Sequence, residues 1–522
     1  MSNKTKTFVF CFYNKNFCAK IKIEEQKIVG CQIYLEMSMR KFILGIDEGT
    51  TNLRSVLYDV TKKKIIDTES KRFKQYYPQS GWVEQDANEI FKKTLATAKD
   101  VLSRNDVQKE ELLGIGITNQ RETVVAWDRE TGEPVYKAIV WQCRRTTDMI
   151  NNLSKQTKKK IKEKTGLIPN PYFSASKMKW ILDNVKGTKS LARSGRLCFG
   201  TIDSFLTFKL TGNHYTDTTN ASRTMLMNLH TLQWDDELLE IFNIPKNSLP
   251  EIKASDSNFG NAKRLLNAPI RGIVGDQMSS MFGQGAVRYG NTKVTFGTGG
   301  FILTNIGSNS TRNLPNLLTT VASTIGKKTC YAIEGSIYSA CSALNWLQEK
   351  LEAYDDVTET ESMATSLENN EGVYLVPAFT GLGAPYWNDN ARACIVGMNL
   401  NTGKEHLVRA CLESMVYNTK AIVDEMKHDG LKFKLISVDG GGSKNGFVLQ
   451  FLADMLNHDV VKSKYSESTV LGAIFMAMIS LKLITLNDIK TMTESETLYS
   501  PKISESERKK NYQGWEEAIK KI

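Results

Sequence analysis

Two short turns rich in glycine and threonine carry residue types suited to holding phosphate. The first is Asp47-Glu48-Gly49-Thr50-Thr51, between the apolar runs at 42–46 and 55–58. The second is Gly297-Thr298-Gly299-Gly300, between Val294-Thr295-Phe296 and Phe301-Ile302-Leu303. Glycine lets the backbone approach a ligand closely, and threonine adds a hydroxyl donor. Amides turned inward at such a turn cradle anionic oxygens. Either turn alone reads as an ordinary hairpin. The pair lies about one domain apart, with Asp47 closing the first strand, and points to a nucleotide clamped between two related domains. A third glycine run, Asp439-Gly440-Gly441-Gly442-Ser443-Lys444-Asn445, sits between a strand candidate at 435–438 and a helical run at 447–456. It offers amides at a helix N-terminus, and reads equally as a tight strand-to-helix turn.

These turns need strands and helices to hold them. From residue 41 onward strand-like and helix-like runs alternate, which indicates α/β domains. Strand candidates include 113–118, 123–127 and 435–438. Apolar residues from Leu407 to Met426 recur at helical spacing and predict a helix over 405–427. The last residues, from 505 on, read as one solvated helix anchored by Trp515. The domains expected are an appendage at 1–40, an N-terminal domain at 41–284, a C-terminal domain at 285–500 and a terminal helix at 501–522. The appendage holds seven Lys or Arg, three Glu and three Cys, and carries no catalytic part in this reading.

The bulk composition excludes several classes. With 522 residues and 41% hydrophobic content, the chain can build two or three cores. No apolar run approaches the ~20 residues of a membrane span. The net charge of +11 is spread widely and is not interleaved with aromatics, so nucleic acid is not implied. Nine cysteines form no CxxC pair, and five histidines lie isolated, which argues against a zinc site or a disulfide framework. Free thiols in a reducing, cytoplasmic compartment are the simplest reading. Neither a GxxxxGK[ST] loop nor a GxGxxG fingerprint is present.

The segment Ile46-Asp47-Glu48-Gly49-Thr50-Thr51-Asn52-Leu53-Arg54 resembles the first phosphate loop of the FGGY carbohydrate kinases. Further motifs resemble the members of that family that act on glycerol. They are Gly116-Ile117-Thr118-Asn119-Gln120-Arg121-Glu122-Thr123, Trp141-Gln142-Cys143-Arg144-Arg145-Thr146 and Pro171-Tyr172-Phe173-Ser174 through Lys177 and Trp180. Thr219 to Met225, Gly275-Asp276-Gln277, Pro377 to Trp387 and Val438 to Gly441 continue the match in order. The similarity spans about residues 41–515. It implies two related actin-like ATPase domains with a nucleotide and substrate cleft between them.

The resemblance implies roles residue by residue. Arg121, Glu122, Tyr172, Asp276 and Gln277 would bind glycerol, with Trp141 and Phe301 walling its carbon edge. A triol offers only hydroxyls, so its site needs donors and acceptors around a small pocket. Thr50, Thr51, Asn52, Arg54, Thr298, Gly441 and Asn445 would contact ATP, with Cys341 and Asn345 near the adenosine. Asp47 would hold Mg²⁺, and Asp276 would take the proton of the attacking hydroxyl. The bland alternatives are a solvated strand-end pair for Arg121-Glu122, core packing for Trp141 and Tyr172, and caps or surface carboxylates for Asp47 and Asp276.

Three positions depart from the family. Glu48 replaces a usual Gln and is expected to place a second negative charge near the phosphates, weakening ATP binding unless Mg²⁺ or Arg54 offsets it. Cys341 replaces a Gly and is expected to tighten the adenosine pocket. Asn345 replaces a Gln. The activity implied is ATP-dependent phosphorylation of glycerol to sn-glycerol 3-phosphate. Two alternatives stay open: another polyol or ketose kinase of the family, and a catalytically weak binding or regulatory relative. The partners implied are glycerol and ATP, with no nucleic acid and no membrane span. Assembly as a homodimer or homotetramer stays open.

Overall fold

The computed structural model describes residues 40–522 except 310, 311, 313 and 496, and the backbone of two short strands, Thr7–Phe8 and Ile21–Lys22. The rest of the appendage expected at 1–40 lies outside the described residues. Two mixed sheets dominate. The first runs, edge to edge, through Asn261–Ala262, Ala268–Gly275, Leu112–Asn119, Phe42–Glu48, Asn52–Asp59 and Lys64–Arg72. The second runs through Leu318–Ile325, Lys328–Ile337, Gly300–Gly307, Asn291–Phe296, Leu435–Asp439, Val460–Lys462 and Leu498–Tyr499.

The two sheets share one topology. In each, an antiparallel hairpin is extended on one side by a third antiparallel strand, Lys64–Arg72 or Lys328–Ile337. On its other side a parallel strand follows, Leu112–Asn119 or Leu435–Asp439, and then another, Ala268–Gly275 or Val460–Lys462. The two phosphate-type turns are the tips of the two equivalent hairpins. The expected strands are present with bounds within one residue at each end, that at 123–127 shifted to Val124–Asp128, and the expected long helix spans Lys404–His428. The terminal helix Glu505–Ile519 buries only Trp515 and Ala518, and the indole stacks on Tyr417 with ring centroids 5.4 Å apart.

One helix crosses between the halves. Ser468–Ser480 leaves the second sheet and packs on the first, against Phe42–Glu48, Leu112–Asn119 and Ala268–Gly275 and the helix Asp276–Gly283. A row of glycines makes room for it. Gly45 pairs with Gly116 and Gly116 with Gly272, so the row spans three strands at one level. A methyl group on Gly116 would sit 2.2 Å from the Ala473 carbonyl oxygen, and one on Gly272 2.7 Å from the Ala477 nitrogen. These are contacts with helix backbone, which can yield only by moving the whole helix.

Gly116→Ala is therefore expected to destabilise the protein by about 1–3 kcal/mol, the range of core overpacking. Chemical denaturation of the purified variant checks this; an unchanged midpoint would show that the helix shifts freely.

Candidate active site

The strand Leu112–Asn119 delivers the chain to a tight turn at Arg121-Glu122-Thr123. The Thr123 amide donates to the Arg121 carbonyl at 2.7 Å, and Glu122 adopts φ of +62°. Neighbours along a strand point to opposite faces, so this turn is what brings both side chains to one side. Arg121 Nε lies 3.9 Å from Glu122 Oε1. Both residues are almost wholly buried, at 2% and 1% exposure, so the solvated-pair alternative is excluded. The hydroxyl of Ser174 donates to the Glu122 carbonyl at 3.0 Å and holds the turn.

Burying a guanidinium requires partners. The Arg121 fork donates to Glu334 with both terminal nitrogens, at 2.8 and 3.0 Å. Its Nε lies 2.9 Å from Asp276 Oδ1. Glu334 stands on Lys328–Ile337 of the second sheet and reaches across to the first half. There it also accepts from Arg223, at 3.2 Å to each of its oxygens. Arg223 donates through Nε to Glu122 at 2.5 Å. Burial pushes the Glu334 carboxyl up, but the two guanidiniums overcome it and hold it at about 2. Glu122 stays above its ordinary value because burial outweighs Arg223 and Arg121.

Aromatic residues continue the wall. The Arg223 guanidinium sits 5.6 Å from the Tyr172 ring, and Tyr172 packs edge-on against Trp141 at 5.4 Å. The Trp141 indole N–H donates to the Thr50 hydroxyl at 2.9 Å, which ties this wall to the first phosphate-type turn. Tyr172 is fixed by the buried Lys177 on helix Ser174–Asn184. That ammonium donates to the carbonyls of Pro171, Tyr172 and Phe173 at 2.7, 2.6 and 3.0 Å. Burial draws Lys177 down to about 7.

On the opposite side, Asp276 and Gln277 begin the helix Asp276–Gly283. Asp276 Oδ1 accepts from the Gln277 amide at 2.6 Å, and Gln277 Oε1 accepts from Lys293. Lys293 also donates to Thr295 Oγ1 at 2.9 Å and lies 5.9 Å from the Phe301 ring. Burial draws its ammonium down to about 8, against the pull of Asp439 and Asp276. The contacts thus run without a break from Thr50 through Trp141, Tyr172 and Arg223, which holds Glu122 beside it, to Glu334, Arg121, Asp276, Gln277, Lys293 and Phe301. All seven residues proposed for substrate fall on this line.

The nucleotide-side candidates gather at the two hairpin tips and the third glycine run. Gln75 and Gln85 donate to the Thr50 carbonyl at 2.9 and 2.7 Å, and the Gly49 amide bonds the Asn52 carbonyl at 3.0 Å. Thr51 is exposed, and Arg54 pairs with Glu467 and lies 3.8 Å from Asp47. Thr298 is exposed at its tip, and its carbonyl accepts from Ala340 and Ser342. Gly441 has open space around it. The glycine run does not open a helix directly: a 3₁₀ turn, Gly441–Lys444, intervenes, and Asn445 caps the helix Gly446–Leu456. The sulfur of Cys341 packs beneath this run, 3.3 Å from where a methyl on Gly442 would stand, and Asn345 is exposed one turn further along.

Glu48 departs from expectation. Asp47 and Glu48 are strand neighbours, so their side chains take opposite faces. Glu48 is fully buried and accepts from Gln120 Nε2 at 3.3 and 3.1 Å, with no cation against it. Burial, with the charges of Asp47 and Asp276, holds this carboxyl well above the usual range. Burial thus disfavours its charged form, and its side chain is bonded to Gln120 rather than facing the turn alone.

Asp47 is raised to about 6, first by burial and then by Asp276, against Arg54. A cation between such carboxylates relieves both effects, so the residues fit a hard divalent ion. Among the described residues no group of three or more acidic, His or Cys side chains could hold a metal alone, so phosphate oxygens and water must complete the shell.

Comparison with known proteins assigns the chain. The N-terminal domain model of the FGGY family of carbohydrate kinases matches residues 42–283, and the C-terminal domain model matches 292–481. The chain belongs to the FGGY carbohydrate kinases. A glycerol kinase of Thermococcus onnurineus (strain NA1) is 46% identical over 92% of this chain and 98% of its own. The crystal structure of Plasmodium falciparum glycerol kinase with ADP superposes with a TM-score of 0.87 at 38% identity. It covers 92% of this chain and 98% of that one. A xylulose kinase of Lactobacillus acidophilus superposes at 0.82 with 26% identity over 91% and 96% of the two chains. The FGGY fold is thus common to kinases named for different sugars and polyols, and the side chains of the cleft must carry the distinction.

Sequence reasoning missed Glu334, Lys293 and the part played by Arg223 in this FGGY site. Each is a charged residue in an otherwise apolar or neutral stretch, a signal that it has buried partners.

Two outcomes are expected. Glu48→Gln should leave ATP affinity within about twofold, since the side chain is buried against Gln120 where its charged form is disfavoured; calorimetry showing several-fold tighter binding would restore the charge-repulsion view. Glu334→Gln should cost about 3–5 kcal/mol of stability, the penalty for breaking a buried pair. Denaturant unfolding measures it.

Proposed function

We propose that this protein transfers the γ-phosphoryl group of ATP to glycerol, giving sn-glycerol 3-phosphate and ADP. The observation that supports the reading is the run of contacts that joins Arg121, Glu122, Tyr172, Asp276 and Gln277. Their donors and acceptors suit three hydroxyls, and Trp141 and Phe301 supply apolar edges. The two relatives named glycerol kinase support it.

The roles that the family resemblance implies are consistent with the geometry. Asp276 Oδ1 faces Arg121 and the Gln277 amide, which leaves Oδ2 to accept the proton of the attacking hydroxyl. Asp276 keeps 27% side-chain exposure, so a substrate hydroxyl can reach it. Glu122, fixed by Arg223, accepts from a second hydroxyl. The turns at Gly49-Thr50-Thr51 and Gly297-Thr298-Gly299 lie at the ends of equivalent hairpins and offer amides to the phosphates. Asn52, Arg54, Gly441 and Asn445 border the same nucleotide space, and Cys341 and Asn345 its adenosine end. Asp47 would hold Mg²⁺, which when bound neutralises charge on the phosphates during transfer. Closure of the two halves excludes the water that would hydrolyse ATP. The described cysteines are free thiols and no described helix could cross a membrane, which supports a cytoplasmic setting.

Purified protein should consume ATP with glycerol in a Mg²⁺-dependent way and prefer it to xylulose and gluconate in a polyol panel. Equal turnover with either sugar would assign another substrate. Asp276→Asn should keep its melting temperature and lose roughly 10²–10⁴-fold in kcat, the usual worth of a general base. A folded variant above a tenth of wild-type kcat would remove Asp276 from that role.

A further inference from the structure

Lys293 is fully buried on the strand Asn291–Phe296, between the substrate side chains and the nucleotide half. An ammonium only donates hydrogen bonds. Its first bond goes to Gln277 Oε1 and its second to Thr295 Oγ1 at 2.9 Å. The Thr295 hydroxyl in turn donates to Asp439, whose other oxygen accepts from Ser468 and, at 3.3 Å, from Ser280. The direction of every bond in this chain is therefore set. Because Lys293 can only donate, the oxygen of the Gln277 carboxamide must face it, and the NH₂ must face the other way. No side chain among the described residues accepts from that NH₂.

We propose that Lys293 is a positioning residue for the substrate site: it locks the Gln277 carboxamide with its NH₂ presented to a substrate hydroxyl. This rests on the reading of the cleft as a polyol site. An unrestrained amide rotates by half a turn and presents its oxygen about as readily, and that oxygen would compete with Asp276 and Glu122 for the same hydroxyl protons. Lys293 removes that state. Its ammonium also lies in the field of Asp439, Asp276 and Glu334, opposed by that of Arg121, so its charge acts on carboxylates of both halves. The lock joins Gln277 at the start of Asp276–Gly283 to Asp439 at the end of Leu435–Asp439, so substrate orientation depends on the glycine-run segment being seated.

The test is a double-mutant cycle with Lys293→Met and Gln277→Ala, read as KM and kcat for glycerol and KM for ATP. Lys293→Met should raise the glycerol KM roughly tenfold, the effect of losing one oriented hydrogen bond. The same change in the Gln277→Ala background should have little further effect, because the group it positions is gone. Additive losses in the double variant would overturn the proposal and leave Lys293 as a general structural cation. Should Lys293→Met not fold, Lys293→Arg replaces it in the cycle; its longer side chain displaces the carboxamide and should raise the glycerol KM only when Gln277 is present. Absence of glycerol phosphorylation in the wild type refutes the underlying reading instead, while a wild type active on glycerol with a Lys293→Met variant of unchanged KM refutes the lock alone.

Discussion

Glu334 is the constraint around which the cleft is organised. Two guanidiniums from the first half, Arg121 and Arg223, are buried almost completely, and the carboxylate that neutralises them comes from a strand of the second half. Taking an ion out of water costs several kcal/mol, and only close, well-hydrogen-bonded partners offset it. With the halves apart, Arg121 and Arg223 would face each other with only Glu122 and Asp276 to balance them. Docking of the second sheet therefore completes the electrostatics of a site whose candidate substrate side chains belong mostly to the first. The bidentate grip also fixes the plane of the Arg121 guanidinium, whose remaining Nε lies 2.9 Å from Asp276 Oδ1.

The helix Ser468–Ser480 supplies the mechanical counterpart. It belongs in sequence to the second half, yet it lies on the glycine row of the first sheet and beside Asp276–Gly283. Just before it, Glu467 pairs with Arg54 of the first hairpin, and at its start Ser468 bonds Asp439. One element thus touches the first phosphate-type turn, the helix bearing Asp276 and Gln277, and the glycine-run strand. A displacement of this helix would reach all three, which is why its seat tolerates no side chain at Gly116.

Much of this was legible in the sequence, because the relevant signals are local. Hairpin tips, strand periodicity, the long amphipathic helix and the ordered motifs gave the fold, and the motif residues fall along one contact line. What was not legible is pairing across distance. Glu334 sits in the run Ala332-Ile333-Glu334-Gly335, where a lone carboxylate calls for a cation, but nothing nearby in sequence says that the cations are Arg121 and Arg223. Lys293 poses the same problem. Glu48 failed for a different reason: its identity is plain, but its charge depends on burial and on which strand face it takes, and these follow from the packing of Gln120 and Gln85 around it.

The charge count of the cleft has a mechanistic consequence. Three of its cations are already committed: Arg54 to Glu467 and Asp47, Arg121 to Glu334 and Asp276, and Lys293 to a chain that ends on Asp439. Asp47 and Asp276 repel each other strongly enough to help raise Asp47 to about 6. A nucleotide bringing several more negative charges finds these three cations already paired. Backbone amides at the two hairpin tips meet part of that demand without adding a residue that needs its own partner. On the proposed reading a divalent cation would arrive with the nucleotide, and the carboxylates that would otherwise oppose the phosphates would then favour its binding. On this view Glu48 can replace an amide in the phosphate loop because burial keeps it out of that balance.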